Sequence, residues 1–483
     1  MVANVLGGAN RETGLSGIVL AQSSPRFFAC DDLPSVASRS AYIAQGDNMP
    51  VRFTLSTPKA PHAIARTAAA FLTAALITAC STDQPGPTGL NASADASRGL
   101  PFTEGLASPG WQQTAFHYVG LGQFIPVRGG HAYPLLGVAQ YLAVQEAEAA
   151  IGDPPVQSAS SGDGIGAGGR PRLEADRGAV AGASAVVLSY LFSSASQVQA
   201  FEDMVTAQEN LTSPGPQRAA FLAGEAIGRS VGAGIVTRAI GDHFNDPTTA
   251  VIPVGPGFWT SNTNPATING GQLPGVLPWF LTSASQFRPG PPPAFGSTDF
   301  LNALHAIRDF SDHPTQEHLD IAAFWALGVG TETAAGFWLE RASEEIASHG
   351  LSERAATHLY ALLGATMADA QIGCWDAKLH YWLIRPWQAD PGIIPFASVG
   401  KPNHPSYPSG HSCVSSSAGE VLSTWFPERR AHFEAMVAEA GLSREVSGIH
   451  YQFDVVAGRD LGLHVAAFAI AADASGNSIL TAH

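Results

Sequence analysis

HPSYPSGHSCVSSSAGEVL, residues 404–422, is the stretch from which the fold can be read. Pro405 and Pro408 stiffen a loop, and a helix is expected from residue 411. Ser409, Gly410 and His411 therefore meet at a helix N-terminus. Free amides and the positive end of the helix dipole make such a place receptive to an oxyanion. Ser409 can donate its hydroxyl, Gly410 lets an anion approach the backbone, and His411 can move a proton. The plain alternative is an N-cap, since serine is a common cap and glycine a common neighbour.

Two flanking stretches bear on that choice. In CWDAKLHYWLIRPW (374–387), Lys378 and Arg385 are seven apart, which places them two helical turns apart on one face; Pro386 then ends or kinks the helix. They sit among Trp375, Tyr381, Trp382 and Trp387 in a chain with only 25 Lys and Arg. Cations in aromatic company suit an anionic ligand. In SREVSGIHYQFDVVAG (443–458), Arg444 and His450 are six apart and Gly448 is expected to break the helix between them. Asp454, four after His450, can hold that imidazole in one tautomer.

Working outward, the pattern is helical over 133–151, 179–201, 217–243, 298–310, 316–327, 332–348, 352–384, 411–425, 428–440 and 450–472. No alternation suggests a strand. Residues 253–299, rich in Pro and Gly but studded with Trp259, Trp279, Phe280 and Phe287, read as a lid draped over one face. The fold class expected is all-α: a large helical bundle over 106–483 with a Pro/Gly-rich lid loop.

Composition limits what such a bundle does. Hydrophobic residues make up 45% and charged residues 13%, with a formal net charge of −15. This is a globular composition, and so acidic a chain is a poor nonspecific partner for nucleic acid or anionic lipid. An anion site must be a local cluster of cations set against that charge.

The N-terminal region reads as processing signal rather than fold. RTAAAFLTAALITAC (66–80) is a short apolar run preceded by Arg52 and Lys59. Its ending, Ile77-Thr78-Ala79-Cys80, resembles a bacterial lipobox. That places a lipoprotein signal over about 49–79, starting from Met49, with residues 1–48 an over-extended start. Cys80 would be lipidated and head a flexible tether over 80–105. Localisation would be the bacterial cell envelope, and Ser81 leans toward the outer membrane, facing periplasm or exterior. Of the remaining cysteines, Cys374 and Cys413 make no metal knuckle; they either pair or serve as small buried residues.

The three motifs taken together, K-x6-RP, PSGH and SR-x5-H-x3-D within 378–454, resemble those of the superfamily of vanadium-dependent haloperoxidases and type 2 phosphatidic acid phosphatases. FWA at 324–326, ADAQIGCWDAK at 368–378 and SQFRPGPPPAF at 285–295 look like the soluble bacterial haloperoxidase branch. Many relatives carry an acidic residue soon after FWA, near the third-motif arginine; FWALGVG has none.

The resemblance implies that Lys378, Arg385 and Arg444 neutralise the oxygens of bound vanadate, or of phosphate in a phosphatase. Ser409 and the Gly410 amide would donate to those oxygens. His450 would ligate vanadium or attack phosphorus, His411 would act as general acid–base, and Asp454 would steady His450. Hydrogen peroxide, a halide and an organic acceptor would be the small-molecule partners, with a membrane contact only through the lipid at Cys80 and room for a homodimer. The alternative is an acid phosphatase working through a phosphohistidine. Halide choice is tied to Trp375 and His404. Chloride-oxidising members of the resembling family tend to carry Trp and Phe at these places and bromide-oxidising members Arg and His, so the mixture here favours bromide and iodide over chloride.

Overall fold

A computed structural model of the chain describes residues 105–151 and 169–480. The expected signal region, Cys80 and most of the expected tether lie outside the described residues. Among the described residues the regular structure is helical, apart from one isolated bridge between Phe258 and Leu383.

The helices run in the order α1 (Ser108–Leu121), α2 (Pro126–Ile151), α3 (Gly169–Leu191), α4 (Ala195–Leu211), α5 (Pro216–Gly241), α6 (Thr298–Asp312), α7 (Gln316–Phe324), α8 (Thr333–His349), α9 (Glu353–Tyr381), α10 (Pro386–Ala389), α11 (Gly410–Trp425), α12 (Arg430–Val446) and α13 (Gln452–Ala474). Short polar side chains start several of them: Ser194 accepts from the Gln197 amide, Ser297 from Phe300, Thr315 from His318 and Ser352 from Ala355. The helix expected over 179–201 is two. Ser194, in extended backbone, begins a new helix after the break at 192–194. The sequence pattern did not announce α1.

α9 is the central element. Nearly every side chain from Ala355 to Cys374 is buried, including Leu359, Tyr360, Leu362, Leu363 and Met367. A helix buried all round is mostly apolar, and the polar side chains buried in this stretch are hydrogen-bonded, His358 to Asp473 and Gln371 to the Val127 carbonyl among them. α2, α11 and α13 pack around it, and α3 lies hard against α5. There a Cβ on Gly224 would stand 1.9 Å from the Ala175 carbonyl oxygen. Only glycine permits that approach of two helix backbones.

Residues 242–297 are non-helical except for a single 3-10 turn, Leu273–Gly275, and lie against α9 and the segment after it. Asp369 of α9 accepts from the amides of Trp279, Phe280 and Leu281 at 2.8, 2.7 and 2.9 Å. Arg288 bridges to Asp376 at 2.6 and 2.9 Å, and the Tyr381 hydroxyl donates to the Pro289 carbonyl. Asp369→Ala is expected to lower stability by roughly 3 kcal/mol or more, because it leaves three amides unpartnered, two of them buried. Thermal unfolding checks this, and a melting temperature equal to wild type would contradict it.

Candidate active site

Arg385 lies beyond α9, not on it as the spacing suggests. α9 does not run through to Pro386. It ends at Tyr381, where Trp382 takes a left-handed conformation (φ 52°) and donates its amide to the Lys378 carbonyl. Arg385 follows in extended backbone, and Pro386 opens the short α10. Lys378 and Arg385 therefore do not share a helix face. They meet in space because the chain doubles back at Trp382.

The other two motifs arrive from α11 and the α12–α13 corner. Ser409 caps α11, its oxygen accepting from the Ser412 amide (3.4 Å), so its own proton stays free to donate. α12 carries Arg444 in its last turn, and Gly448 (φ +74°) turns the chain as expected. His450 and Ile449 amides both return to the Arg444 carbonyl. Asp454 sits in the first turn of α13 and its carbonyl accepts from the Ser409 amide at 2.9 Å. One backbone bond thus ties the second motif to the third.

Lys378, Arg385 and Arg444 are 0%, 0% and 1% exposed. None has a carboxylate within ion-pair distance among the described residues. The Lys378 ammonium bonds to three carbonyls of the 405–408 loop, those of Pro405, Ser406 and Pro408. Arg385 donates to the His404 and Ile449 carbonyls (3.0 and 2.6 Å), to His404 Nδ1 (3.1 Å) and to His450 Nε2 (3.0 Å). Arg444 donates to the Trp325 carbonyl (2.7 Å) and to Ser443 Oγ (2.8 Å). Burial lowers Lys378 to about 8, Arg385 to about 10 and Arg444 to about 9. Three desolvated cations held only by neutral acceptors are costly without an anion.

The imidazoles are arranged to be neutral bases. His450 Nδ1 lies 2.9 Å from Asp454 Oδ2, which also accepts from Ser406 Oγ (2.5 Å) and the Tyr451 amide (3.2 Å). With Nδ1–H donating to the carboxylate, Nε2 carries the lone pair. Burial, then Arg385, holds His450 well below the ordinary imidazole range. Burial also pushes Asp454 up to about 6, which leaves it ionised at neutral pH. His411 is lowered by burial and then by Arg444, and its Nε2 is buried with no partner. An orphaned ring nitrogen beside a cation, in a cavity, is a place for a missing ligand oxygen.

Trp375 and His404 lie together, their ring centroids 4.9 Å apart. His404 is half-buried within the site rather than lying free on a loop. The 242–297 segment holds both: Asn269 accepts from Trp375 Nε1 (2.8 Å) through its carbonyl and donates its amide to the Asn403 carbonyl (2.9 Å). Trp325 was not foreseen as a site residue. Its carbonyl receives Arg444 and also faces His411, and its indole is anchored on Glu439 at 2.9 Å. Cys374 and Cys413 are free and buried, as small core residues.

A cavity of about 280 Å³ opens onto Trp375, His404, Gly410, His411, Arg444 and His450. Lys378, Arg385 and Ser409 stand behind this lining. A larger, more open groove of about 640 Å³ passes over Asp376 and His380 but contains no motif residue. The first site therefore fits an oxyanion: buried cations without carboxylates, a helix N-terminus at Gly410, the lone pair of His450 and the orphaned nitrogen of His411.

The family model of the PAP2 superfamily matches residues 359–475. The chain is 31% identical over 173 residues to a non-specific acid phosphatase of Providencia stuartii, a stretch covering 35% of this chain and 67% of that protein. The crystal structure of the first bacterial vanadium-dependent iodoperoxidase superposes with a TM-score of 0.63 at 21% identity, over 76% of this chain and 95% of that one. Apo-type bacterial vanadium-dependent chloroperoxidase gives 0.54 at 14% identity, over 73% and 96%. The two superpositions are likenesses of fold.

Proposed function

The chain belongs to the PAP2 superfamily, and from that premise we propose that it is a vanadate-dependent haloperoxidase, using hydrogen peroxide to oxidise bromide or iodide for halogenation of organic acceptors. The observation that carries this reading is the set of three buried, carboxylate-free cations facing two neutral imidazoles. In this reading Lys378, Arg385, Arg444, Ser409 and the Gly410 amide hold vanadate, with His450 Nε2 as the metal ligand. Bound vanadate supplies Lewis-acid activation of peroxide.

The protein's own part is charge, orientation and proton movement. The cations offset the oxyanion charge in a site screened from water. Asp454 fixes the His450 tautomer, so that Nε2 is presented as a lone pair. His411, unpaired at Nε2, gives and takes protons at the oxygens bound there. Lys378 works mainly as a charge, because its three donors already serve the 405–408 loop. The fold likeness along nearly the whole iodoperoxidase chain supports the haloperoxidase reading. A second reading, acid phosphatase through a phosphohistidine at His450, is favoured by the 31% identity to the Providencia enzyme. Vanadate-dependent oxidation of iodide by peroxide, assayed as triiodide, tests the first reading; its absence at saturating vanadate would contradict it. A lipid at Cys80, placing the enzyme on the cell envelope, goes with this proposal.

Halide choice follows from His404. Its ring accepts from Arg385 at Nδ1 and touches Trp375, and burial followed by Lys378 and Arg385 keeps it well below the ordinary imidazole range. A second imidazole near His411 disfavours two imidazolium charges in one site, so a proton on His411 is lost more readily and the oxidant available is weaker. Wild type is therefore expected to turn over bromide and iodide with little chloride, and His404→Phe to shift the chloride-to-bromide ratio and the pH profile. Efficient chlorination by wild type, or an unchanged ratio and profile in the variant, would sink this role.

A further inference from the structure

We propose that the cavity above the oxyanion cradle binds an organic anion with an apolar body, and that Lys401 at its rim receives the negative group. The proposal rests on the haloperoxidase reading and names the class of acceptor. Two features of the lining carry it. First, no Asp or Glu lines the cavity, although the chain carries 40 acidic residues against 25 Lys and Arg. Second, much of the lining is apolar, with Ile125, Val127, Val329, Ala335, Val399 and Val414. An apolar wall recognises a hydrocarbon or aromatic body, and the few polar groups beside it set orientation.

Lys401 supplies the charge. Lys401 lines the cavity and is exposed, with no carboxylate in ion-pair distance among the described residues. Its backbone is fixed, because the Lys401 carbonyl accepts from Asn262 Nδ2 at 2.9 Å and the neighbouring Asn403 is clamped by Asn262 and Thr267. Once an oxyanion occupies the cradle and offsets Lys378, Arg385 and Arg444, Lys401 is the uncompensated cation that the next guest meets. In an acidic protein, a cavity mouth with one sign of charge focuses the opposite sign. Asp454 does not oppose this, because it is fully buried behind His450 and bonded to Ser406.

The test uses the vanadate-loaded full chain and two near-isosteric probes, 4-methylbenzenesulfonate and neutral 4-methylbenzenesulfonamide, titrated by tryptophan fluorescence. Wild type is expected to bind the sulfonate about fivefold more tightly than the sulfonamide, the size of one part-exposed ion pair. K401Q is expected to bring the two probes close to parity, and K401E to favour the sulfonamide. Equal binding of both probes by wild type, or sulfonate affinity unchanged in K401E, would overturn the proposal. Triiodide formation, which uses no organic acceptor, is run on the same samples. A wild type that makes no triiodide contradicts the haloperoxidase reading, while the two titrations still decide the role of Lys401.

Discussion

His450→Ala is expected to lower orthovanadate affinity by more than about 100-fold, the loss that removal of even an outer-shell partner reaches at metal sites. The structure gives the reason. His450 Nδ1 is committed to Asp454 and Nε2 faces the Arg385 guanidinium at 3.0 Å, so this nitrogen is a directed lone pair inside a cationic pocket. Alanine removes it and leaves Asp454 without its imidazole donor. Isothermal titration with orthovanadate reads the result without reference to turnover. Undiminished affinity would remove His450 from the ligand role.

His411→Ala is expected to behave differently. Its Nε2 is unpaired and its ring is oriented by the Trp325 carbonyl, so its contribution is a proton rather than a bond to the metal. Halide oxidation should fall by about 10²–10⁴-fold, the usual span for loss of a positioned acid–base group. Vanadate affinity should change far less than in His450→Ala. Steady-state rates at saturating vanadate, set beside the titration, separate the two effects. A variant that oxidises halide at the wild-type rate would exclude His411 from proton transfer.

Most of the helical layout and the motif residues that gather around one cavity were legible in the sequence, for a common reason. Long apolar helices and motif side chains both leave residue-type signatures. PSGH marked a helix start, with a serine cap as the plain alternative to an anion site, and Ser409 does cap α11; Gly448 predicted a turn, and its φ is +74°. Features built from backbone were not legible. The turn at Trp382 that frees Arg385 from α9 requires a left-handed tryptophan, which no propensity announces. The support of Arg444 by the Trp325 carbonyl uses an acceptor that every residue possesses. The same holds for the carbonyls around Lys378. FWA drew attention to that place, but only the fold shows that its carbonyl, and not a side chain, serves the site. The break between α3 and α4 was missed because Ser193 and Ser194 sit within an otherwise continuous uncharged run.

The central claim is that this oxyanion cradle serves halide oxidation. The most direct measurement is a pair of assays on one preparation. Bromide- and peroxide-dependent bromination is measured with and without orthovanadate, and hydrolysis of p-nitrophenyl phosphate is measured with vanadate absent. The account predicts bromination that appears only with vanadate, at a rate well above any hydrolysis. Rapid ester hydrolysis inhibited by vanadate, with no halide oxidation under any vanadate concentration, would contradict it and assign the cradle to phosphoryl transfer.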